Sequence, residues 1–327
     1  VLFGGAWHPS PSSQHPVASP ISSFSGTAAA VAAASQLSMA VAASAAPTAI
    51  GELRSRLAAR ALHPYRLHDG TELPWEASPA GTDMSLSRFL TARKGNVALA
   101  EDMFAAHLVW RRRVFPISRN RVVDELVADG RRFQKVDETT EDGVPVLVVH
   151  FLWGYFLDGV STLDCLRATL LFIEKEITKS DGMGQHQACI IASGGPPPLD
   201  WAAATVSMLE ANYPERLLRA AVYPVPRLVA SVARAMVQML DPGTAEKVTV
   251  LSEEKDFLEF VRLRAEQLPD RLQGGLEGAE RHFSPDSRGR MQRLLRRGLF
   301  LGIRGSAELQ QQLLRPLEDL PPPAAPS

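Results

Sequence analysis

Cysteine is scarce: Cys165 and Cys189 are the only two in 327 residues. Two thiols cannot staple a disulfide scaffold, so the expectation is a reducing, intracellular setting and a fold held by packing. Lysine is scarce too. Of 35 basic residues only six are lysines (Lys94, Lys135, Lys175, Lys179, Lys247 and Lys255), the other 29 being arginine. Neither sign of charge is in excess. The 36 acids leave a net charge of −1, which argues against a dedicated nucleic-acid binder, since those carry a basic surplus. Residues 1–51 contain no Asp, Glu, Lys or Arg; Glu52 is the first charge. Catalytic signatures are missing as well. The eight histidines form no HExxH, no Cys-x-x-Cys exists, and neither a G-x-x-x-x-G-K-[ST] loop nor a G-x-S-x-G elbow occurs. Gly182-Met183-Gly184 follows a helical pattern and lacks a third glycine. His150, at the end of a strand pattern, has two readings: a general base, or a side chain satisfying one hydrogen bond. No catalytic residue, metal or cofactor is expected.

What is present is ample core material, 45% hydrophobic against 22% charged, over a length that allows one large domain or two small ones. The head divides into Pro/Ser-rich Val1–Gly26 and Ala-rich Thr27–Gly51. It reads as a disordered or targeting segment, with a transit peptide or an alanine-rich span over Ala28–Ile50 as open alternatives. Helical spacing begins at Ser85, with Leu86, Phe89 and Leu90 on one face, and breaks at Lys94-Gly95-Asn96. A second helix runs through Met103, Phe104 and Leu108 to Arg111-Arg112-Arg113, where positive charge suits the C-terminus. Val144–Phe151 reads as a buried strand after the Asp142-Gly143 turn. Leu163–Lys179 and Trp201–Asn212 read as helices, with the short strand Ala188–Ala192 between them. Tyr213–Leu217 reads as the start of a short helix and Ala220–Tyr223 as a strand. Leu228–Leu240 reads as an apolar helix, Val248–Leu251 as a strand and Lys255–Glu266 as a helix. Wholly apolar strands separated by helices predict an α/β fold with a mostly parallel sheet.

The order of several short motifs points further. Leu86-Ser87-Arg88-Phe89-Leu90-Thr91-Ala92-Arg93-Lys94, Trp110-Arg111 and Asp142-Gly143-Val144-Pro145-Val146 come first. Tyr213-Pro214-Glu215-Arg216-Leu217 and Leu240-Asp241-Pro242-Gly243-Thr244-Ala245-Glu246-Lys247-Val248 follow, then Leu268-Pro269 and Gly274-Gly275. In this order the chain resembles the CRAL-TRIO family, in particular its phosphatidylinositol/phosphatidylcholine-transferring members. It departs from their pattern at Pro224-Val225-Pro226, at Val237-Gln238 and at Ile190–Gly195, where an acid is lost. The resemblance implies a helical N-terminal bundle (residues 52–120) beside a lipid-binding domain (121–280). The sheet of that domain floors a hydrophobic lipid cavity closed by a helical gate.

The resemblance also implies site residues. Arg93, Glu215, Thr244 and Lys247 fall where relatives hold a phosphoinositol headgroup. Their chemistry suits that role: two cations for phosphate oxygens, a hydroxyl donor, and a carboxylate accepting from inositol hydroxyls. Each has a plainer alternative. Glu215 behind Pro214 merely starts a helix, Thr244 finishes the Asp-Pro-Gly turn, and Arg93 is a solvated helix charge. A lysine at position 247 runs against the arginine bias of the chain. Leu228, Val229, Val232, Met236, Val237 and Leu240 fall on the gate, an ordinary buried helix being the alternative.

Residues 281–327 form a tail with a Pro-rich end at Pro321–Pro326. Met291, Leu294, Leu295, Leu299 and Ile303 keep helical spacing, while Arg290, Arg293, Arg296 and Arg297 take other faces. Such a helix suits an anionic membrane surface; packing its stripe on the domain is the other reading. The expected protein is a monomeric, cytoplasmic, peripheral lipid carrier, or a plastid or other organellar one if residues 1–51 are a transit peptide. Its ligand would be a phospholipid, phosphatidylinositol first. A lipid sensor that presents its ligand to a partner without net transfer, and more remotely an α/β hydrolase, are the alternatives.

Overall fold

A computed structural model describes residues 47–128, 133–139, 144–150, 160–179, 186–191, 199–225, 230, 233–234, 237–238, 242–267 and 307–314. The bundle at the start is built from α1 (Pro47–Ala58), α2 (Asp83–Ala92) and α3 (Val97–Val114). A two-residue-per-strand hairpin, β1 (Tyr65–Arg66) with β2 (Glu72–Leu73), lies between α1 and α2. Leu53 and Leu57, one turn apart, bury α1 against Leu86, Phe89 and Leu90 of α2 and Phe104 and Leu108 of α3. Thr82 caps α2 by accepting from the Ser85 N–H at 3.2 Å, and Asn96 caps α3 by accepting from Leu99 at 3.1 Å. The link between them turns through the left-handed region at Lys94 and Gly95. The Gly95 N–H reaches back to the Leu90 carbonyl at 2.8 Å, and glycine is the residue that adopts this geometry without strain.

The second half is an α/β unit. Five strands run in spatial order β3 (Phe133–Thr139), β4 (Pro145–His150), β5 (His186–Ile191), β6 (Leu217–Tyr223) and β7 (Val248–Val250). β3 is antiparallel to β4, and every other neighbouring pair is parallel. Helices α4 (Arg121–Ala128), α5 (Thr162–Lys179) and α6 (Leu199–Asn212) share one apolar cluster that includes Leu126, Leu166, Leu170, Trp201 and Met208. Ser161 and Asp164 close the start of α5 reciprocally, through Asp164 N–H to Ser161 Oγ at 3.1 Å and Ser161 Oγ to Asp164 Oδ2 at 2.7 Å.

Alternation along β6 sorts its two faces. Ala221 and Tyr223 meet Phe257 and Val261 of α8 (Glu254–Val261), with the Tyr223 and Phe257 rings stacked at 4.2 Å. Val222 faces a different cluster of Val225, Ala230, Ala233, Val237 and Val250. α7 (Pro242–Ala245) is a single turn leading into β7. A last helix, α9 over residues 307–313, sets Leu309 and Leu313 into the α4–α5–α6 cluster.

Several expectations need correction. Tyr213–Leu217 starts no helix: a turn is followed by β6 from Leu217, because Glu215 takes φ 53° and breaks helical propagation. The expected Lys255–Glu266 helix stops at Val261, where Arg262 adopts a left-handed cap, and Ala265–Gln267 form a separate 3-10 turn. The 51/52 boundary falls inside α1, which begins at Pro47. β3, α4 and α9 were not foreseen. Of the gate set only Val237 has a described side chain; Leu228, Val229, Val232, Met236 and Leu240 lie outside the described residues. So do Arg290, Arg293, Arg296 and Arg297. Among the described residues no helix is long and apolar enough to cross a membrane.

Candidate functional site

Parallel pairing of β6 and β7 brings together residues far apart in the chain. Ala220 pairs with Val248, and the Ala220 N–H donates to the Lys247 carbonyl at 2.8 Å. Glu215 and Lys247 therefore both stand at the N-terminal ends of neighbouring parallel strands. Their side chains meet there: Lys247 Nζ donates to Glu215 Oε2 at 3.2 Å, with 31% and 24% of the two side chains exposed.

Local backbone fixes both ends of this pair. α6 ends with the Tyr213 N–H on the Leu209 carbonyl at 2.7 Å, after which Glu215 sits at positive φ. A non-glycine residue there costs on the order of 1–3 kcal/mol, so the surrounding structure must hold it. On the other side the Lys247 N–H donates to the Thr244 carbonyl at 3.0 Å, making Thr244 and Lys247 one rigid turn. Thr244 Oγ1 donates to Glu210 Oε1 at 2.5 Å, across from the last turn of α6.

Three of the four expected headgroup residues are thus linked through hydrogen bonds or one shared turn. Arg93 is not in contact with them. It caps α2, is exposed, and sends Nη1 to the Ala92 carbonyl at 3.3 Å. Glu210, which sequence reasoning passed over, belongs to the cluster by geometry. Its only sequence signal was an acid in the last turn of a helix, where the macrodipole disfavours one.

Beside this cluster lies a small cleft between the bundle and the start of β6, lined in part by Arg88, His107, Asn212, Tyr213 and Arg216. Its floor is a buried ion pair. Arg111 donates to both oxygens of Glu174, at 2.9 and 2.8 Å, and Tyr213 donates its hydroxyl to the same carboxylate. Arg111 also stacks 4.0 Å over the Tyr65 ring. Burial pushes the Glu174 carboxyl up, but the Arg111 guanidinium and the Tyr213 hydroxyl outweigh it and hold the group below its ordinary value. Burial, reinforced by the Arg111 charge, drives His107 down to about 3, so the imidazole is neutral. Its Nδ1 has no hydrogen-bond partner among the described residues. Burial, with the Arg216 charge adding to it, lowers Arg88 to about 10. Two signals in the sequence marked this network: a charge, Glu174, inside the apolar run of α5, and Arg111 in the Trp-Arg motif.

Among the described residues no three of His, Cys, Asp and Glu converge as a metal-binding group. Known proteins give the context. The chain is 24% identical over 223 residues to the SEC14 cytosolic factor of Candida glabrata, a match covering 60% of this chain and 71% of that one. The crystal structure of Sfh5 superposes with a TM-score of 0.46 at 13% identity, covering 74% of this chain and 85% of that one. Residues 141–274, which hold β4–β7, the Glu215–Lys247 pair and Thr244, match the CRAL/TRIO domain.

Proposed function

We propose that the protein binds and carries a phospholipid, phosphatidylinositol first, with its headgroup at Lys247, Glu215 and Thr244. The observation that carries this is the half-buried Lys247–Glu215 pair beside the Thr244 hydroxyl. It sets one cation for a phosphodiester against a carboxylate that can accept from inositol hydroxyls, with the Thr244 hydroxyl on the same turn as Lys247. Arg93, outside the contact set, would join by swinging its exposed side chain toward the phosphate. The acyl chains would lie in the kind of apolar cavity that the CRAL-TRIO resemblance implies, each buried CH₂ contributing about 0.8 kcal/mol. No bond is made or broken; loading replaces bilayer contacts with cavity contacts. The Lys247–Glu215 bond must open to admit a phosphate, so loading is an exchange of ion-pair partners. Docking on the anionic face of a bilayer falls to the arginines of the tail.

Extraction and mass spectrometry of lipids that co-purify with the full chain tests the ligand. Only prenyl, sterol or other neutral lipids in the extract would overturn the phosphoinositide assignment. Lys247→Ala should lower phosphatidylinositol uptake by about tenfold, the loss of one charge-assisted contact, while neutral-lipid uptake persists. Equal loss of both classes would point to a folding defect. Movement of labelled phosphatidylinositol between vesicles separates a carrier from a sensor that binds without transfer.

A further inference from the structure

Glu210 has no place in the headgroup set that the chain's resemblance implies, yet its contact with Thr244 is the shortest in the cluster. The carboxylate is exposed, sits in the last turn of α6, and accepts the Thr244 hydroxyl at 2.5 Å. α6 carries no basic residue in that turn to offset it, so the acid stands against the helix dipole. Two consequences follow. The Thr244 proton is already directed to a carboxylate, leaving the hydroxyl oxygen as the free acceptor on that residue. Glu210 also adds a carboxylate to the linked Thr244, Lys247 and Glu215; Arg93 makes no contact with them, while Arg88 lies close enough to Glu215 to feel its charge.

We propose that Glu210 is a specificity-determining residue of this site, admitting a polyol headgroup on a single phosphodiester and rejecting one that carries an additional phosphate monoester. The proposal rests on the headgroup reading above and names the substrate class that this reading leaves open. The physical ground is charge and hydrogen-bond direction. A phosphodiester brings one negative charge, which Lys247 answers. A monoester adds a further −1.5 to −2 and only acceptor oxygens, which would face a carboxylate and a hydroxyl whose proton is committed. An inositol hydroxyl, by contrast, donates to Glu210 or to Thr244 Oγ1.

The test uses the full chain incubated with phosphatidylcholine vesicles containing equal amounts of phosphatidylinositol and phosphatidylinositol monophosphate. The protein is re-isolated and its lipids are quantified by mass spectrometry. Glu210→Gln keeps an acceptor for Thr244 and removes the charge. The ratio of phosphatidylinositol to its monophosphate should fall by on the order of tenfold, the effect of one unit charge across a few ångströms of partly solvated site. Glu210→Ala should shift the ratio alike. Because the ratio is read within one preparation, partial loss of folded protein cancels. An unchanged ratio in Glu210→Gln, with Lys247→Ala still losing both inositol lipids, overturns the role of Glu210 and leaves the headgroup reading standing. A ratio that moves only in Glu210→Ala overturns the charge argument. Wild-type chain that takes up neither inositol lipid overturns both.

Discussion

At the scale of single residues, the most demanding site is the cleft floor, where Arg111 and Glu174 are 1% and 2% exposed. Desolvating two charges is costly, and the geometry here offsets that cost with a two-pronged contact, a tyrosine hydroxyl and a ring beneath the guanidinium. His107 lies against the same network, and its titration is measurable. Its folded value, about 3, lies below its ordinary 6.5. Between those two values the unfolded chain binds a proton that the folded chain refuses, so stability must fall as pH drops from 6.5 toward 3. The loss should be on the order of 2 kcal/mol between pH 6.5 and pH 5. Denaturant titrations at several pH values would show this slope, and His107→Leu should flatten it over that window. A wild-type stability that is level from pH 6.5 to pH 5 would refute the assignment. Glu174, held below its ordinary 4.5, adds its own loss only when pH falls beneath that figure. Of these two groups, only His107 contributes between pH 6.5 and about 4.5; below that the two losses add.

At the scale of elements, packing reveals dependencies that the chain order hides. α9 comes from the far end of the sequence, yet Leu309 and Leu313 are 6% and 9% exposed within the α4–α5–α6 cluster. Gln310 adds a hydrogen bond from Nε2 to the Ala204 carbonyl at 3.4 Å. A seven-residue helix has no stability of its own in water, so it exists because it is docked. Leu309→Ala should cost about 2–3 kcal/mol, the usual penalty for a buried leucine that leaves a partly relaxed cavity. Thermal unfolding would show the drop, whereas a change within 0.5 kcal/mol would mean that α9 is not held by this contact. The elements found from periodicity were those with a clear apolar face, such as Leu86, Phe89 and Leu90 on α2. Those missed have other reasons to exist. β3, with the sequence Phe-Gln-Lys-Val-Asp-Glu-Thr, is a polar edge strand defined by its antiparallel partner β4. The turn at Glu215 is set by where β6 must begin rather than by the helix-starting look of Pro214-Glu215.

At the scale of the whole molecule, the proposed function joins a CRAL/TRIO domain to a charge distribution. The chain is nearly neutral overall, while its tail carries Arg290, Arg293, Arg296 and Arg297 with little acid nearby. If these four residues meet the membrane during loading, replacing all four by glutamine should remove about 1 kcal/mol of attraction per charge to anionic vesicles. Sedimentation with phosphatidylserine-containing vesicles at low and high salt checks this, and equal binding by both proteins at low salt would overturn it. The α/β class, the two main helices of the bundle, the parallel strands and the likeness to the CRAL/TRIO domain are legible in the sequence alone. Apolar periodicity and motif order are local properties, written in consecutive residues. Tertiary structure alone decided that Glu215 and Lys247 are bonded, that Glu210 holds Thr244, and that Arg93 stands outside their contacts. The parallel register of β6 with β7 and the end of α6 bring those groups together across about 30 residues of intervening chain. No spacing rule along the sequence encodes such a meeting. The absences of the sequence share that limit: few lysines make Lys247 conspicuous, but only the fold shows which acids surround it.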